Sequence, residues 1–496
     1  MDLAASFLYL LTPWPLFLCV LGTALGILVG AIPGLSGAML IALTLPLTFK
    51  MDPLDAMALL VSMYTGSITG GLISAILLRI PGTPSNVVTT FDGHAMAVRG
   101  EAGRALTLGI MSSFVGAVLA WVALATLTRP LADIAVRFTP FDYFALVLTA
   151  LVLISSVSGD SMVKGLLAGM IGVLFAFPGL DSNTGTTRFT AGQWQLASGF
   201  DVLPVLVGVF GIGTVLGELV KSPGVVKPIV YHASSLWIRL SEWRGHIWNL
   251  LRSSAIGTWI GILPGVGASV GSLVAYTVTK NLSREPETFG KGAPAGIVAS
   301  EAANNATVGG ALIPLLAIGI PGSVIDVFLM GAMQIHGIQP GPLLFEQHAG
   351  IVYVVIAACL MSSVLMLGQM YLMIPLLRRV LDVPRHIVLP LILVFCIVGV
   401  YSSSNRMFDV WIMLGFGVLG FLMERGGLPL GPFVIGFILA PIAEARLRQG
   451  LMMTDGDYSP LVTQPLTASL LLVSVVLLFW PAIRGWSQRR KATRQG

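Results

Sequence analysis

The sequence predicts an all-α polytopic integral membrane protein of about 12 transmembrane or hairpin segments. They form two homologous repeats, expected to be inverted, with broken helices. Three observations predict this. Only 10% of the 496 residues are Asp, Glu, Lys or Arg, and 55% are apolar, where a soluble domain carries about 25% charged residues. The apolar residues form long runs with short polar joints, unlike the short periodic stretches of a soluble core. Finally, Gly/Pro blocks recur in the same order in both halves.

The apolar runs lie at 15–49, 54–80, 105–128, 141–158, 165–180, 201–220, 254–278, 295–320, 350–377, 387–401, 409–424, 431–444 and 464–484. A crossing helix needs about 20 apolar residues; several runs are shorter than that, and the longest can bend back as hairpins, so the sequence leaves the parity of the crossings open. The opening MDLAASFLYLLTPWPLFL lacks the basic flank of a cleaved signal, so its apolar run is expected to be retained. Residues 1–220 are assigned to the first membrane repeat and 253–484 to the second. Between them, 221–252 alternates Trp237, Trp243 and Trp248 with Lys221, Lys227, Arg239, Arg244 and Arg252. Such a segment suits the cytoplasmic membrane surface, although a plain linker is the competing reading. The tail, 485–496, carries Arg489, Arg490, Lys491 and Arg494, and the positive-inside rule places it in the cytoplasm.

The repeat is the strongest organising signal. Gly26, Gly30, Pro33 and Gly34 match Gly257, Gly261, Pro264 and Gly265 at an offset of 231. Gly70, Ile80, Pro81 and Gly82 match Gly310, Ile320, Pro321 and Gly322 at an offset of 240. A weaker echo pairs Gly169, Gly172, Gly179 and Leu180 with Gly417, Gly420, Gly427 and Leu428 at an offset of 248. Paired Gly/Pro interruptions at matching places in two halves point to the binding site of a secondary transporter. A Pro removes an amide and clashes with the preceding turn, and unpaired backbone groups are costly in hydrocarbon. Helix N-termini offer amides to an anion, and C-terminal carbonyls suit a cation.

The candidate substrate-binding residues follow from those breaks. Pro33, Gly34, Ser36 and Gly37 form the first break, and Pro264, Gly265 and Gly267 the second; a kink that only serves packing is the alternative. Thr65, Gly66 and Ser67, beside Tyr64 and Thr69, correspond to Asn304, Asn305 and Thr307. Amides can donate to a carboxylate, whereas small neighbours can instead mean close helix packing. Glu301 in the same run needs a cation, a proton or a donor if it is buried. Thr83, Ser85 and Asn86 follow one Ile-Pro-Gly stop, and Ser323 and Asp326 the other; they are hairpin tips or helix caps. Arg79 is a counter-charge for an anion or a side chain that snorkels to the interface. The run Asp92, Gly93, His94, Arg99, Glu101 and Arg104 reads as a solvated turn.

Other chemistries are absent from the sequence. Cys19, Cys359 and Cys396 stand alone in apolar runs, and no His lies at metal-ligand spacing. No P-loop or zincin motif occurs, and neither an enzyme nor a cofactor is indicated beyond a coupling sodium ion or proton. The net charge of +5 includes no basic stripe interleaved with aromatics outside the loops, so no nucleic-acid partner is expected. A passive anion channel, reusing broken helices as a filter, is the alternative function.

At these same residues the chain resembles the large membrane subunit of the tripartite tricarboxylate transporter family. The likeness covers most of residues 15–350 and weakens beyond. It rests on GAIPGLSG, GSITGGLISAILLRIPGTPSNVVTTFDGHAMAVRGEAGRAL, GILPGVGASVGSL, FGKGAPAGIVASEAANNATVGGALIPLLAIGIPGS and HGIQPGPLLF, in order. The resemblance implies uptake of di- and tricarboxylates such as citrate, and of aromatic acids, across a bacterial inner membrane. It implies symport with a proton or sodium. It also implies two partners, a small membrane subunit and a periplasmic solute-binding protein that delivers the anion. The family's Pro-Gly motifs fall on Pro33, Gly34, Pro264 and Gly265, and its Asn pair on Asn304 and Asn305. Where the family often reads ILLNIPG this chain carries Arg79, and His94 stands where a Tyr is common.

Overall fold

A computed structural model of the chain describes all residues except 33–34, 158–160, 182–183, 221–239, 381–384 and 493–496. Helix α1 (Leu3–Leu10) starts at Asp2, whose carboxylate accepts from the Ala5 amide. Helix α2 (Pro13–Ala31) begins with a Pro, whose missing amide costs nothing in a first turn. Ser36 caps α3 (Gly37–Thr48) by accepting from the Met39 amide at 3.1 Å. Asp52 caps α4 (Pro53–Leu78) through the Leu54 amide at 2.9 Å. There follow α5 (Thr89–Met96), α6 (Ala102–Ala135), α7 (Pro140–Val157) and α8 (Met162–Ala176). An antiparallel ribbon, β1 (Gly179–Leu180) with β2 (Thr187–Arg188), interrupts the helices. Helices α9 (Val202–Leu206) and α10 (Gly213–Val220) are joined by a π-helical turn at Val207–Ile212.

The second half begins with α11 (Leu240–Ile262), α12 (Gly267–Leu282), α13 (Pro294–Ile318), α14 (Val324–Ile335) and α15 (Leu344–Gln347). It continues with α16 (Ala349–Val380), α17 (Arg385–Ser404), α18 (Met407–Arg425), α19 (Leu430–Met453), α20 (Pro460–Thr463) and α21 (Pro465–Ala492). Of the expected basic linker, 221–239 lie outside the described residues, and the remainder runs without a break into α11. Of the basic tail, 493–496 lie outside them and the preceding residues continue α21. Among the described residues, seven helices are long and apolar enough to cross a membrane, and six further apolar helical stretches of 10–17 residues accompany them. The fold is therefore that of an all-α polytopic membrane protein.

The chain divides into two compact units. One comprises Met1–Asp133 and Asp201–Leu422, the other Ile134–Phe200 and Met423–Gly496. Each draws on both sequence repeats. In the smaller unit α19 packs on α7 and α8, and a Cβ on Gly436 would lie 2.4 Å from the Gly169 carbonyl oxygen. There Arg188 and Arg448 pair with Glu444 at 2.7 and 2.6 Å.

The larger unit carries the duplication in its contacts. A Cβ on Gly26 or Gly30 would lie 2.4 or 2.2 Å from the carbonyl oxygen of Met63 or Ser67. At offset positions, Gly257 and Gly261 stand 2.2 and 2.5 Å from the carbonyls of Ala303 and Thr307 by the same measure. Gly70 against Ile27 (2.3 Å) is repeated by Gly310 against Thr258 (2.3 Å). Gly82 against Gly30 (2.0 Å) is repeated by Gly322 against Gly261 (2.8 Å). The matched glycines thus let α2 lie on α4, and α11 on α13, at backbone contact. The helix stops match too: α4 ends at Arg79 with φ 59°, and α13 at Gly319 with φ 80°. Left-handed backbone suits Gly, so Arg79 holds a strained position that its counterpart holds freely. The weaker echo has different surroundings: Gly172 abuts the Phe433 carbonyl, whereas Gly420 abuts Val209.

Candidate functional site

Helices α4 and α13 are interior elements. Every residue from Asp55 to Leu78 in α4 and from Gly296 to Ala317 in α13 is buried. A helix facing protein can carry polar groups that lipid would reject, and both do so halfway along. On α4 these are Tyr64, Thr65, Ser67 and Thr69; on α13 they are Glu301, Asn304, Asn305 and Thr307. The Thr69 hydroxyl donates to Asn305 Oδ1 at 2.6 Å, joining the two rows. Asn305 Nδ2 donates back to the Glu301 carbonyl at 3.3 Å.

The hairpin tips exchange partners between the halves. After the first Ile-Pro-Gly stop, the Thr83 hydroxyl donates to Asn86 Oδ1 and lies 2.8 Å from Ser85 Oγ. Asn86 Nδ2 then donates to Glu301 Oε1 of the second half at 3.0 Å. After the second stop, Ser323 caps α14, and its Oγ lies 3.0 Å from the Tyr64 hydroxyl of the first half. Gly37, at the start of α3, leaves room for Ser67 Oγ, 2.1 Å from where a Cβ would be, and has Ile325 beside it.

Glu301 is fully buried and fully held. Besides Asn86, the Thr89 hydroxyl donates to Oε1, and Ser113 Oγ donates to Oε2 at 3.1 Å. Three donors from two other stretches replace its hydration shell, which is the condition for burying a carboxylate. Two groups nearby are buried and more loosely held. Neither amide atom of Asn304 is in hydrogen-bond geometry with a partner; Glu301, almost one turn earlier, is the polar group beside it. Neither carboxylate oxygen of Asp326 is bonded, although the Ser323 hydroxyl and the Gly322 and Ser323 amides are its nearest donors.

The remaining sequence candidates have other surroundings. Pro33 and Gly34 lie outside the described residues, and their break is seen only by its flanks, α2 ending at Ala31 and α3 starting at Gly37. The second break is described in full: Gly265 and Gly267 have φ of 70° and 73°, and the Gly265 amide donates to the Gly322 carbonyl at 2.8 Å. That amide already has a partner. Pro264 is half-buried in the same turn. Ser36 spends its hydroxyl as a helix cap. Gly66 packs on the Thr23 carbonyl. The Thr65 hydroxyl donates to the Val61 carbonyl and accepts from Ser362, and Thr307 donates to the Ala303 and Gly257 carbonyls. Arg79 is exposed, away from the buried strip.

The expected solvated turn at Asp92 is corrected by the structure. Asp92 is fully buried; its Oδ1 accepts from the Gly290, Gly292 and Ala293 amides at 2.8, 2.7 and 2.8 Å, and its Oδ2 from the Tyr276 hydroxyl at 2.9 Å. It ties α5 to the entrance of α13. Its partners lie some two hundred positions away, so no local pattern could announce them. Thr89 and Ser113, too, are ordinary residues until the fold sets them on Glu301. No group of three potential metal ligands occurs among the described residues.

The strip is sealed. Thr65, Ser67, Thr69, Glu301, Asn304, Asn305 and Thr307 are each 2% exposed or less. Cavities of about 300 and 540 Å³ lie elsewhere in this unit, the first lined by residues such as Pro46, Gln334 and Asp409, the second by Arg99, Arg284 and Lys291.

The family model described as "Tripartite tricarboxylate transporter TctA family" matches residues 16–435. The chain is 35% identical over 486 residues to an "Uncharacterized 52.8 kDa protein in TAR-I ttuC' 3'region" of Agrobacterium vitis, covering 97% of both. It is 36% identical over 231 residues to an "Uncharacterized protein in TAR-II ttuC' 3'region" of the same organism, covering 46% of this chain and 96% of the relative. No solved structure matches.

Proposed function

Since the chain belongs to the tripartite tricarboxylate transporter TctA family, we propose that it is the translocating subunit, carrying a di- or tricarboxylate into the cell against its gradient. In this reading it sits in a bacterial inner membrane with its C-terminus in the cytoplasm. A periplasmic solute-binding protein delivers the anion, a small membrane subunit completes the complex, and a proton or sodium gradient drives the cycle. The observation that carries the reading is the buried polar strip between α4 and α13, flanked by duplicated helix breaks and holding the buried Asn304 amide, which has no partner in full hydrogen-bond geometry. An amide supplies donors to a carboxylate, and the α14 N-terminus adds a positive dipole end. Sealing of the strip on all sides supports alternating exposure of a site rather than a continuous pore.

The test is uptake into liposomes holding the reconstituted complex, under an imposed ion gradient. The wild type should accumulate its substrate above the outside concentration, which a channel cannot do. The Asn304→Ala, Asn305→Ala double variant should insert normally and lose accumulation. Full uptake by that variant would remove the strip from the transport path.

A further inference from the structure

The strip and its tips bury two carboxylates, and their surroundings differ in kind. Glu301 receives bonds from Asn86, Thr89 and Ser113. Asp326 is equally buried and receives none in hydrogen-bond geometry. It stands three residues after the cap Ser323, where an acid commonly reaches back to the cap's own amide. Here Ser323 Oγ accepts from the Asp326 amide at 3.3 Å, while the return contact to the Ser323 amide falls short of full hydrogen-bond geometry.

The repeat supplies an internal comparison. At an offset of 240, the counterpart of Asp326 is Asn86, an amide of nearly the same shape. Both ends of Asn86 are used, accepting from Thr83 and donating to Glu301. The counterpart of Glu301 is Val61, so the second tip has no matching acceptor. One tip is thus neutral and fully bonded, the other titratable and only loosely approached by the Ser323 and Gly322 donors.

Resting on the transport reading above, we propose that Asp326 is the proton-loading carboxylate of the cycle and that substrate engages the α14 N-terminus only when Asp326 is protonated. The first turn of α14 attracts an anion through its amides and dipole. An ionised Asp326 in that same turn sets a like charge against it, and two carboxylates sharing a site do not both stay ionised. Protonation removes the repulsion and turns Asp326 into a donor. By linkage, proton and anion then raise each other's affinity by the same factor. The proton taken up on one face is released on the other when the substrate leaves.

The elements packed on α14 leave the charge unbalanced. The main ones among the described residues are α3, α4, α9 and α13. Helices α3 and α9 hold no titratable residue. From α4 comes Tyr64, with Cys359 beyond it; from α13 comes Glu301, committed to its own donors. None of these four helices, nor α14 itself, carries a Lys or Arg.

The test uses the complete three-component system in membrane vesicles, probed with radiolabelled citrate, tartrate, malate and succinate. In the wild type, apparent affinity should weaken about tenfold per pH unit over the range in which Asp326 ionises. Asp326→Asn should flatten that dependence and abolish accumulation driven by a pH gradient, while exchange of internal for external substrate continues. Asp326→Glu should restore the pH dependence. Accumulation by Asp326→Asn with its pH dependence intact overturns the proposal, as does loss of exchange together with accumulation, which would mark a structural role. Wild-type uptake that follows sodium and ignores pH overturns it too, leaving transport itself standing. A wild type that accumulates none of the acids brings down the transport reading and this inference with it.

Discussion

Glu301 shows what a buried charge requires. Its oxygens take bonds from Asn86, Thr89 and Ser113, so removing the carboxylate strands three buried donors. Each stranded group costs about 1–3 kcal/mol, and the account therefore predicts that Glu301→Ala loses at least about 3 kcal/mol. Thermal unfolding of the purified protein in detergent should show a clear fall in midpoint. An unchanged midpoint would mean that these donors find other partners. Glu301 was legible as a problem, because an acid in an apolar run must be neutralised or bonded. Its solution was not legible: Asn86 stood out beside a helix stop, whereas Thr89 and Ser113 had no signal. Asp92 is the sharper case, since its short DGH motif reads as a surface turn and its ligands are backbone amides, which leave no mark in a sequence.

Among the elements, the paired helices α2 with α4 and α11 with α13 depend on absent side chains. A methyl on Gly30 would enter the Ser67 carbonyl at 2.2 Å, and one on Gly261 the Thr307 carbonyl at 2.5 Å. Overpacking of this kind costs about 1–3 kcal/mol. Gly30→Ala and Gly261→Ala should each destabilise by that amount, whereas Gly245→Ala, on an open face of α11, should stabilise by about 0.5–1 kcal/mol. Thermal midpoints of the three variants check this. Equal effects at all three would deny that the repeats are built on backbone contact. These glycines were legible because the constraint acts on the backbone at the position itself. The second break was legible for the same reason, with Gly265 and Gly267 in left-handed backbone. What its amide does was not, because the Gly322 carbonyl arrives from another hairpin.

At the scale of the whole molecule, composition alone announced the membrane, and the family match extends it to the subunit of a tripartite transporter. The division into compact units did not follow the sequence repeats, since each unit draws on both halves and helix packing between distant segments decides it. The central claim is that the sealed strip opens to each side of the membrane in turn. Ser67 lies at its centre, fully buried, and Ser67→Cys changes little in size. The direct measurement is labelling of that cysteine by a membrane-impermeant maleimide in a chain whose Cys19, Cys359 and Cys396 are replaced by Ala. The account predicts labelling from one face without substrate and from the opposite face during substrate-driven exchange, never from both at once. Transport that continues while the cysteine stays unlabelled from either face would contradict it.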